Sequence, residues 1–210
     1  MKKFLAAACA ILLVTPAVAR SDAYFYGSAS GLFGHQRFTH IDVNIYDPSA
    51  GVWMHQPTAD LSDNVWGGAV AAGYGLDDFR VELELALREK AQVNNATIKS
   101  DSLIFAFYYD FNKYRVTPFL GIGGGASRVG LHIENLDLSN ARINFTGMGA
   151  AGLRFRVTDA VSLNLSYRYF YLGHVGLRKA VDLGGSLPAI LDVTARADSS
   201  EVTLGATYRF

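Results

Sequence analysis

The sequence predicts an all-β chain, an eight-stranded antiparallel up-and-down barrel with its apolar side turned outward. Three observations predict it. Residues 79–90, "FRVELELALREK", place apolar residues on the odd positions from 79 to 87 and charges on most even ones, tight turns alternate with long connections, and the last strand runs to the final residue, Phe210. In the first stretch Phe79, Val81, Leu83, Leu85 and Leu87 take the odd positions, and Arg80, Glu82, Glu84 and Arg88 take even ones. Successive strand side chains point to opposite faces, so one face is apolar and the other charged. A helix is the rival, since Glu, Leu, Ala and Arg are good helix formers and Glu84–Arg88 has i,i+4 spacing. A helix would spread the alternating leucines around its circumference, so the period favours a strand.

The same unit recurs along the chain. Alternating or Gly-rich segments fall at 23–33, 64–76, 79–92, 98–111, 115–129, 142–157, 161–173 and 200–210. Each reaches the roughly 9–11 residues that a tilted membrane strand needs. Residues 76–78, 112–114 and 158–160 are tight turns. Residues 34–63, 130–141 and 174–199 are long connections, and a shorter one lies around Asn94-Asn95. Short turns at one rim and long loops at the other, with an even strand count, put both chain ends on the short-turn side.

The N-terminus is of another kind. Lys2 and Lys3 precede an apolar run from Phe4 to Val14, Pro16 breaks it, and Ala17-Val18-Ala19 follows. This is the pattern of a secretory signal peptide over 1–19, leaving 20–210 as the barrel. A cut after Ala23 is the second choice. The only cysteine, Cys9, lies inside the leader, as an ordinary h-region residue. Without Lys2 and Lys3 the chain carries 17 basic and 19 acidic residues. With no basic run, nucleic acid is not an expected partner.

Which face looks inward follows from the arginines. If Leu83 and its neighbours met water-filled lumen, Arg80, Arg88, Arg154, Arg168 and Arg209 would face hydrocarbon, at about 2–4 kcal/mol each near mid-bilayer. The reverse register puts Leu163, Leu165, Tyr167, Tyr169 and Tyr171 on lipid and Asn164, Ser166 and Arg168 inside. The chain is therefore read as a transmembrane β-barrel. Eight strands leave a bore that side chains can fill, and buried ions must be paired. The lumen network predicted is Arg80, Arg88, Arg154, Arg168 and Arg209 against Glu82, Glu84, Asp110 and Glu201. Its simplest role is a polar structural core rather than a gate or an active site. Phe25, Phe79, Phe111, Tyr114, Phe155, Tyr208 and Phe210 form one aromatic girdle, and Phe33, Trp66, Tyr169 and Tyr171 the other.

Four stretches, "WGGAVAAGYGLDDFRVELE", "IFAFYYDF" with "VTPFLGIGGGA", "LNLSYRYFYLG" and "EVTLGATYRF", occur in order and span most strands. With these the chain resembles the small porin-like outer-membrane β-barrel family, the opacity and OmpA-type surface proteins. The resemblance implies the outer membrane of a Gram-negative bacterium, and makes Phe210 part of an assembly signal. It implies outer-membrane lipid and the barrel assembly machinery as partners. The four stretches leave out the long connections, and in such proteins the resemblance implies that these carry the individual function.

Other motifs carry little chemistry. "GIGGG" at 121–125 lacks the Gly-Lys-Ser/Thr of a phosphate loop and sits within a strand, where glycine makes room for aromatics or bends the sheet. The Asn-X-Ser/Thr matches at 95–97, 144–146 and 164–166 are chance in a bacterial protein. His35, His40, His55, His132 and His174 all fall at the outer side, without i,i+2 or i,i+4 pairs. Barrels that deacylate lipid A need a His and a Ser near the outer rim. Here His174 is followed two residues on by Gly176, and Ser127 and Ser166 have no obvious base.

The expected function is a non-enzymatic surface protein, without cofactor or metal, with an envelope role and loops that meet a host or matrix ligand. The alternative is a narrow porin-like channel or a loop-based haem or metal binder. In 34–63, Ile41, Val43 and Ile45 alternate with Asp42 and Asn44, and Asp47-Pro48-Ser49-Ala50-Gly51 signals a turn, so a hairpin should stand above the membrane. In 174–199, Leu187, Ile190, Leu191 and Val193 are expected to pack across the mouth or to form a patch for a partner. Deleting Phe210 removes the terminal aromatic. It should lower outer-membrane levels at strong expression, read by fractionation and immunoblot; unchanged levels would count against the assembly role.

Overall fold

The structure, a computed structural model, describes residues 23–47, 51–58, 60–93, 96–111, 114–133, 138–181 and 189–210. The leader read over 1–19 lies outside them. The strands are β1 (Ala23–Asp47), β2 (Val52–Thr58), β3 (Leu61–Leu76), β4 (Phe79–Arg88), β5 (Ala91–Val93), β6 (Ala96–Asp110), β7 (Val116–Ile133), β8 (Leu138–Arg156), β9 (Val161–Val181) and β10 (Ala189–Arg209). Eight of them make the wall, each antiparallel to its neighbours, in the order β1-β3-β4-β6-β7-β8-β9-β10. β10 returns to β1, from Tyr26↔Arg209 up to Tyr46↔Ile190, which closes the barrel. β2 pairs with the upper part of β1, and β5 with β6.

The eight predicted spans are present, and the alternation points as expected. Along β4, Arg80, Glu82, Glu84, Ala86 and Arg88 are buried while Phe79, Leu83 and Leu87 are exposed. Trp66, Ile122 and Leu204 are more than 60% exposed. A water-soluble protein would hide such residues, and here lipid covers them. The short rim is built as predicted where it is described. Leu76↔Phe79 closes a two-residue turn in which Asp77 is left-handed (φ 53°), a conformation Asp tolerates. At 158–160 the Val161 amide donates to Thr158 Oγ1 at 2.9 Å. Residues 112 and 113 of the third turn lie outside the described residues.

The outer connections differ from the prediction. Much of 34–63, 130–141 and 174–199 is strand: β1 runs to Asp47, β7 to Ile133, β8 begins at Leu138, β9 runs to Val181 and β10 begins at Ala189. Span 79–92 breaks into β4 and β5. The wall thus rises well past the aromatic pair Phe33–Trp66, whose rings are 4.6 Å apart. Above that pair the alternation inverts. His35 and Arg37 face outward while Gln36 and Phe38 are buried; Ser62 and Asn64 face out while Val65 is buried. Outside hydrocarbon the outer face takes polar residues and the inner face takes apolar ones, so the sequence pattern changes phase and looks like a loop.

The expected hairpin is β1–β2, running from Ile41↔Thr58 to Asp47↔Val52, with Gly51 at φ 67°. Ile190, Leu191 and Val193 pair with Tyr46, Ile45 and Val43. Their backbone therefore extends the wall beside the hairpin strand; Leu187 lies outside the described residues. Two irregularities adjust the extension. β1 bulges between Thr39 and Asp42, with His40 at φ 52°, and β9 shifts register near Gly173 (φ 86°).

Glycine opens space for rings inside. A Cβ at Gly121 would lie 2.3 Å from the Tyr108 ring, and one at Gly73 would lie 2.3 Å from Tyr26. At Gly121 this is the room for aromatics expected of the "GIGGG" run, and at both glycines it lets the tyrosine ring lie over its neighbouring strand. The topology is open to a direct check. An impermeant maleimide on whole cells should label Met54→Cys at the hairpin and spare Asp77→Cys; labelling of Asp77→Cys alone would turn the barrel upside down.

Candidate functional site

The lumen holds a network of paired charges. Near the short-turn rim, Arg80 (β4) grips Asp110 (β6) through Nε at 3.0 and 3.2 Å and Nη2 at 3.0 Å. Its Nη1 donates to Glu82 Oε1 at 2.8 Å, and the Tyr26 hydroxyl donates to the same oxygen at 2.7 Å. Arg154 (β8) reaches Asp110 Oδ2 at 2.9 Å and Asn164 Oδ1 at 3.2 Å, and Asn164 donates onward to Thr207 at 2.6 Å. The Arg80 guanidinium also lies 4.7 Å from the Tyr108 ring centre and 5.2 Å from that of Phe119.

A second layer sits higher. Arg168 (β9) donates through Nη1 to both Glu84 oxygens, at 2.6 and 2.7 Å, and through Nη2 to Glu201 Oε2 at 3.2 Å. Arg88 Nε meets the other Glu201 oxygen at 2.5 Å, and its Nη1 meets Ser102 at 2.9 Å. Ser102, Ser127 and Thr146 form a hydroxyl chain, 2.7 and 2.6 Å per link. Arg88 Nη2 and Arg168 Nε have no protein acceptor among the described residues. Both guanidiniums instead flank Phe170, 4.8 and 5.2 Å from its ring centre.

Eight of the nine predicted network residues thus meet: Arg80, Arg88, Arg154 and Arg168 against Glu82, Glu84, Asp110 and Glu201. Positive and negative charges balance, as a bore of low dielectric demands. Arg209 does not join. It is exposed at the rim and stacks on Tyr24, 4.2 Å from the ring centre. The last inward position of β10 is wet, so it needs no counter-ion. Phe210 is exposed on the lipid side, and its amide donates to Phe25 O at 2.9 Å, which ties the chain end to β1.

Above the charges the lumen turns apolar. Phe38, Ile41, Val65, Val129, Phe170 and Leu172 are buried there in one cluster. Pattern reading missed this layer, because its residues lie where the alternation changes phase. A polar cavity of about 50 Å³ remains below, lined by Ser28, Ser30, Glu82, Glu84, Ser166 and Thr203 among others. That is room for a few waters.

Three of the histidines have separate partners among the described residues. His35 contacts Asn64 at 3.0 Å, His55 contacts Asn44 at 2.8 Å and Asp42 at 3.7 Å, and His174 contacts Tyr171 at 3.3 Å. The His132 side chain lies outside what is described. No group of three His, Cys, Asp or Glu fit for a metal occurs among the described residues. Ser127 is fully buried in its hydroxyl chain, and Ser166 bonds Thr203 at 2.6 Å.

An apolar outside, a closed strand order and a neutral charged bore define an integral outer-membrane β-barrel. The chain belongs to the family described as outer membrane protein beta-barrel domain, whose profile matches residues 4–210. It is an outer-membrane protein of the Gram-negative type. Outer membrane protein PagN of Salmonella typhimurium is 27% identical over 186 residues, 74% of this chain and 77% of its own. Neisserial surface protein A has the same fold, with TM-score 0.60 and 19% identity over 90% of this chain and all of its own. OprG of Pseudomonas aeruginosa does too, with TM-score 0.65 and 12% identity over 90% and 97%.

Glu201 joins two arginines, so it is the sensitive point of the network. Glu201→Gln keeps the shape and removes the charge, leaving Arg88 without its carboxylate. The barrel should lose about 3–5 kcal/mol, read as a lower urea midpoint for the protein refolded in vesicles. Arg209→Gln should move it little.

Proposed function

We propose that this is a non-enzymatic surface protein whose barrel is a closed scaffold for an extracellular sheet, and that the sheet contacts a host or matrix ligand. The observation that carries the reading is the division of the molecule along its axis. The membrane part is filled by paired charges, with a buried apolar cluster above them, and such a filled bore supports a scaffold rather than a conduit. The part above is a raised wall with the β1–β2 hairpin as its edge. On that hairpin Val52, Trp53 and Met54 are about half exposed, and Trp53 packs on Tyr46 at 5.1 Å.

Three consecutive exposed apolar residues on an edge strand suit a binding surface. Aromatic anchors of this kind dominate protein interfaces. Among the described residues Ser127 bonds to Ser102 and Thr146, and Ser166 to Thr203, and these hydroxyl pairings support the non-enzymatic reading. A narrow channel is the competing function, and the small polar cavity is its one support. Outer-leaflet lipid and the assembly machinery remain the other proposed partners.

Two measurements test the reading. The refolded protein in a planar bilayer should give no stepwise conductance, whereas steady channel openings would move the function to transport. Replacing Val52, Trp53 and Met54 by serine should cut cell or matrix binding by about tenfold, a loss typical of removing one aromatic anchor. Equal binding by this variant and by the wild type would discard the hairpin as the contact.

A further inference from the structure

We infer that the outer wall carries a docking site for one phosphorylated, acylated lipid of the outer leaflet, with its phosphate on Arg37 and Arg196 and an acyl chain in a groove below. The charged part lies across β1, β10 and β9. Arg37 pairs in register with Asp198, Asp198 with Tyr171, and Arg196 with His174. Asp198 is only 7% exposed and lies 3.8 Å from Arg37 Nη2 and 3.4 Å from Arg196 Nε. One carboxylate therefore positions two guanidiniums that remain 52% and 46% exposed, with one positive charge in excess. The Arg196 guanidinium lies 5.0 Å from the Tyr171 ring centre, which fixes its plane. The register shift at Gly173 is what brings His174 level with Arg196.

Height and direction select a lipid. Arg37 is four residues above Phe33, the outward aromatic of β1 that pairs with Trp66. At about 3.3 Å per residue and a tilt near 40° that is roughly 10 Å higher, where a long side chain reaches down into the headgroup layer. The cluster faces sideways toward neighbouring lipid, not toward the tip. Lower on β1 the wall is hollow. A groove of about 490 Å³ is lined by Ala29, Gly31, Gly68, Val70, Leu85 and Leu87. Gly31 and Gly68 pair across β1 and β3, and a Cβ added at Gly31 would meet nothing within 4 Å. A cationic pair on β1 and β10 above an apolar groove that begins on β1 and spreads over β3 and β4 matches an amphiphile with a phosphate head. A soluble polyanion would use the arginines and ignore the groove.

The test uses the full barrel in phosphatidylcholine nanodiscs doped with diphosphoryl lipid A or with its dephosphorylated form. Lipid retained after dilution is read by native mass spectrometry. The wild type should retain the phosphorylated lipid and not the other. R37Q with R196Q should retain about tenfold less. G31L fills the groove without touching a charge, faces lipid and should fold normally; it should also lower retention. R128Q, an exposed outward arginine on β7, should change nothing. Inorganic phosphate at equal phosphorus should not compete; full competition would reduce the site to a free-anion site and overturn the lipid assignment. Equal retention of both lipids by the wild type would overturn the phosphate contact without need of any variant, and undiminished retention by G31L would overturn the groove.

Discussion

Hydrocarbon offers no partner to a backbone amide, and the whole molecule is arranged around that fact. A sheet with a free edge cannot cross a bilayer, since each unmet N–H or C=O costs several kcal/mol. The pairing of β1 with β10 removes both edges at once. Closure then fixes the rest. The outer face must be apolar, and the inner face takes the polar residues, packed in a bore too narrow for bulk water. β2, which has a free edge, occurs only above the aromatic pair, where water is available.

Closure also explains the character of the lumen. Bringing ions into such a bore is unfavourable unless each finds a partner. Every carboxylate of the network accepts from at least one arginine, and Asp110 and Glu201 each accept from two. These contacts join β4, β6, β8, β9 and β10 across the bore, so they tie opposite walls together as a hydrophobic core does in a soluble protein. Phe170 belongs to both regimes, with two guanidiniums against its ring and the apolar cluster around it.

The eight spans and their facing were legible because lipid imposes a single rule over the whole band: apolar residues out. The parity of Arg80, Arg154 and Arg168 was enough to orient the barrel and to name eight of the network members. The upper wall was not legible, because two environments meet at Phe33 and Trp66. Residues 34–39 keep the strand period and the same facing while polar side chains move to the outward positions, and the bulge at His40 then breaks the period itself. Arg209 failed for a related reason, since parity gives direction and not depth. Tyr26 went unnamed: nothing in "AYFYGS" says that its hydroxyl will meet Glu82 on a strand distant in sequence. Nor could the sequence show that Arg37, Asp198 and Arg196 converge, because that depends on the register of the seam.

That seam has a consequence for biogenesis. Its two strands come from opposite ends of the chain, so the contact that completes the cylinder is also the most non-local one. Loop-closure entropy makes such a contact late and slow. Until Arg209 is delivered, the lower part of β1, which pairs with β10 on one side and β3 on the other, has one side open and lipid-seeking residues such as Phe25 and Phe33 in water. The arrival of the last strand thus sets how long those residues of β1 stay uncovered.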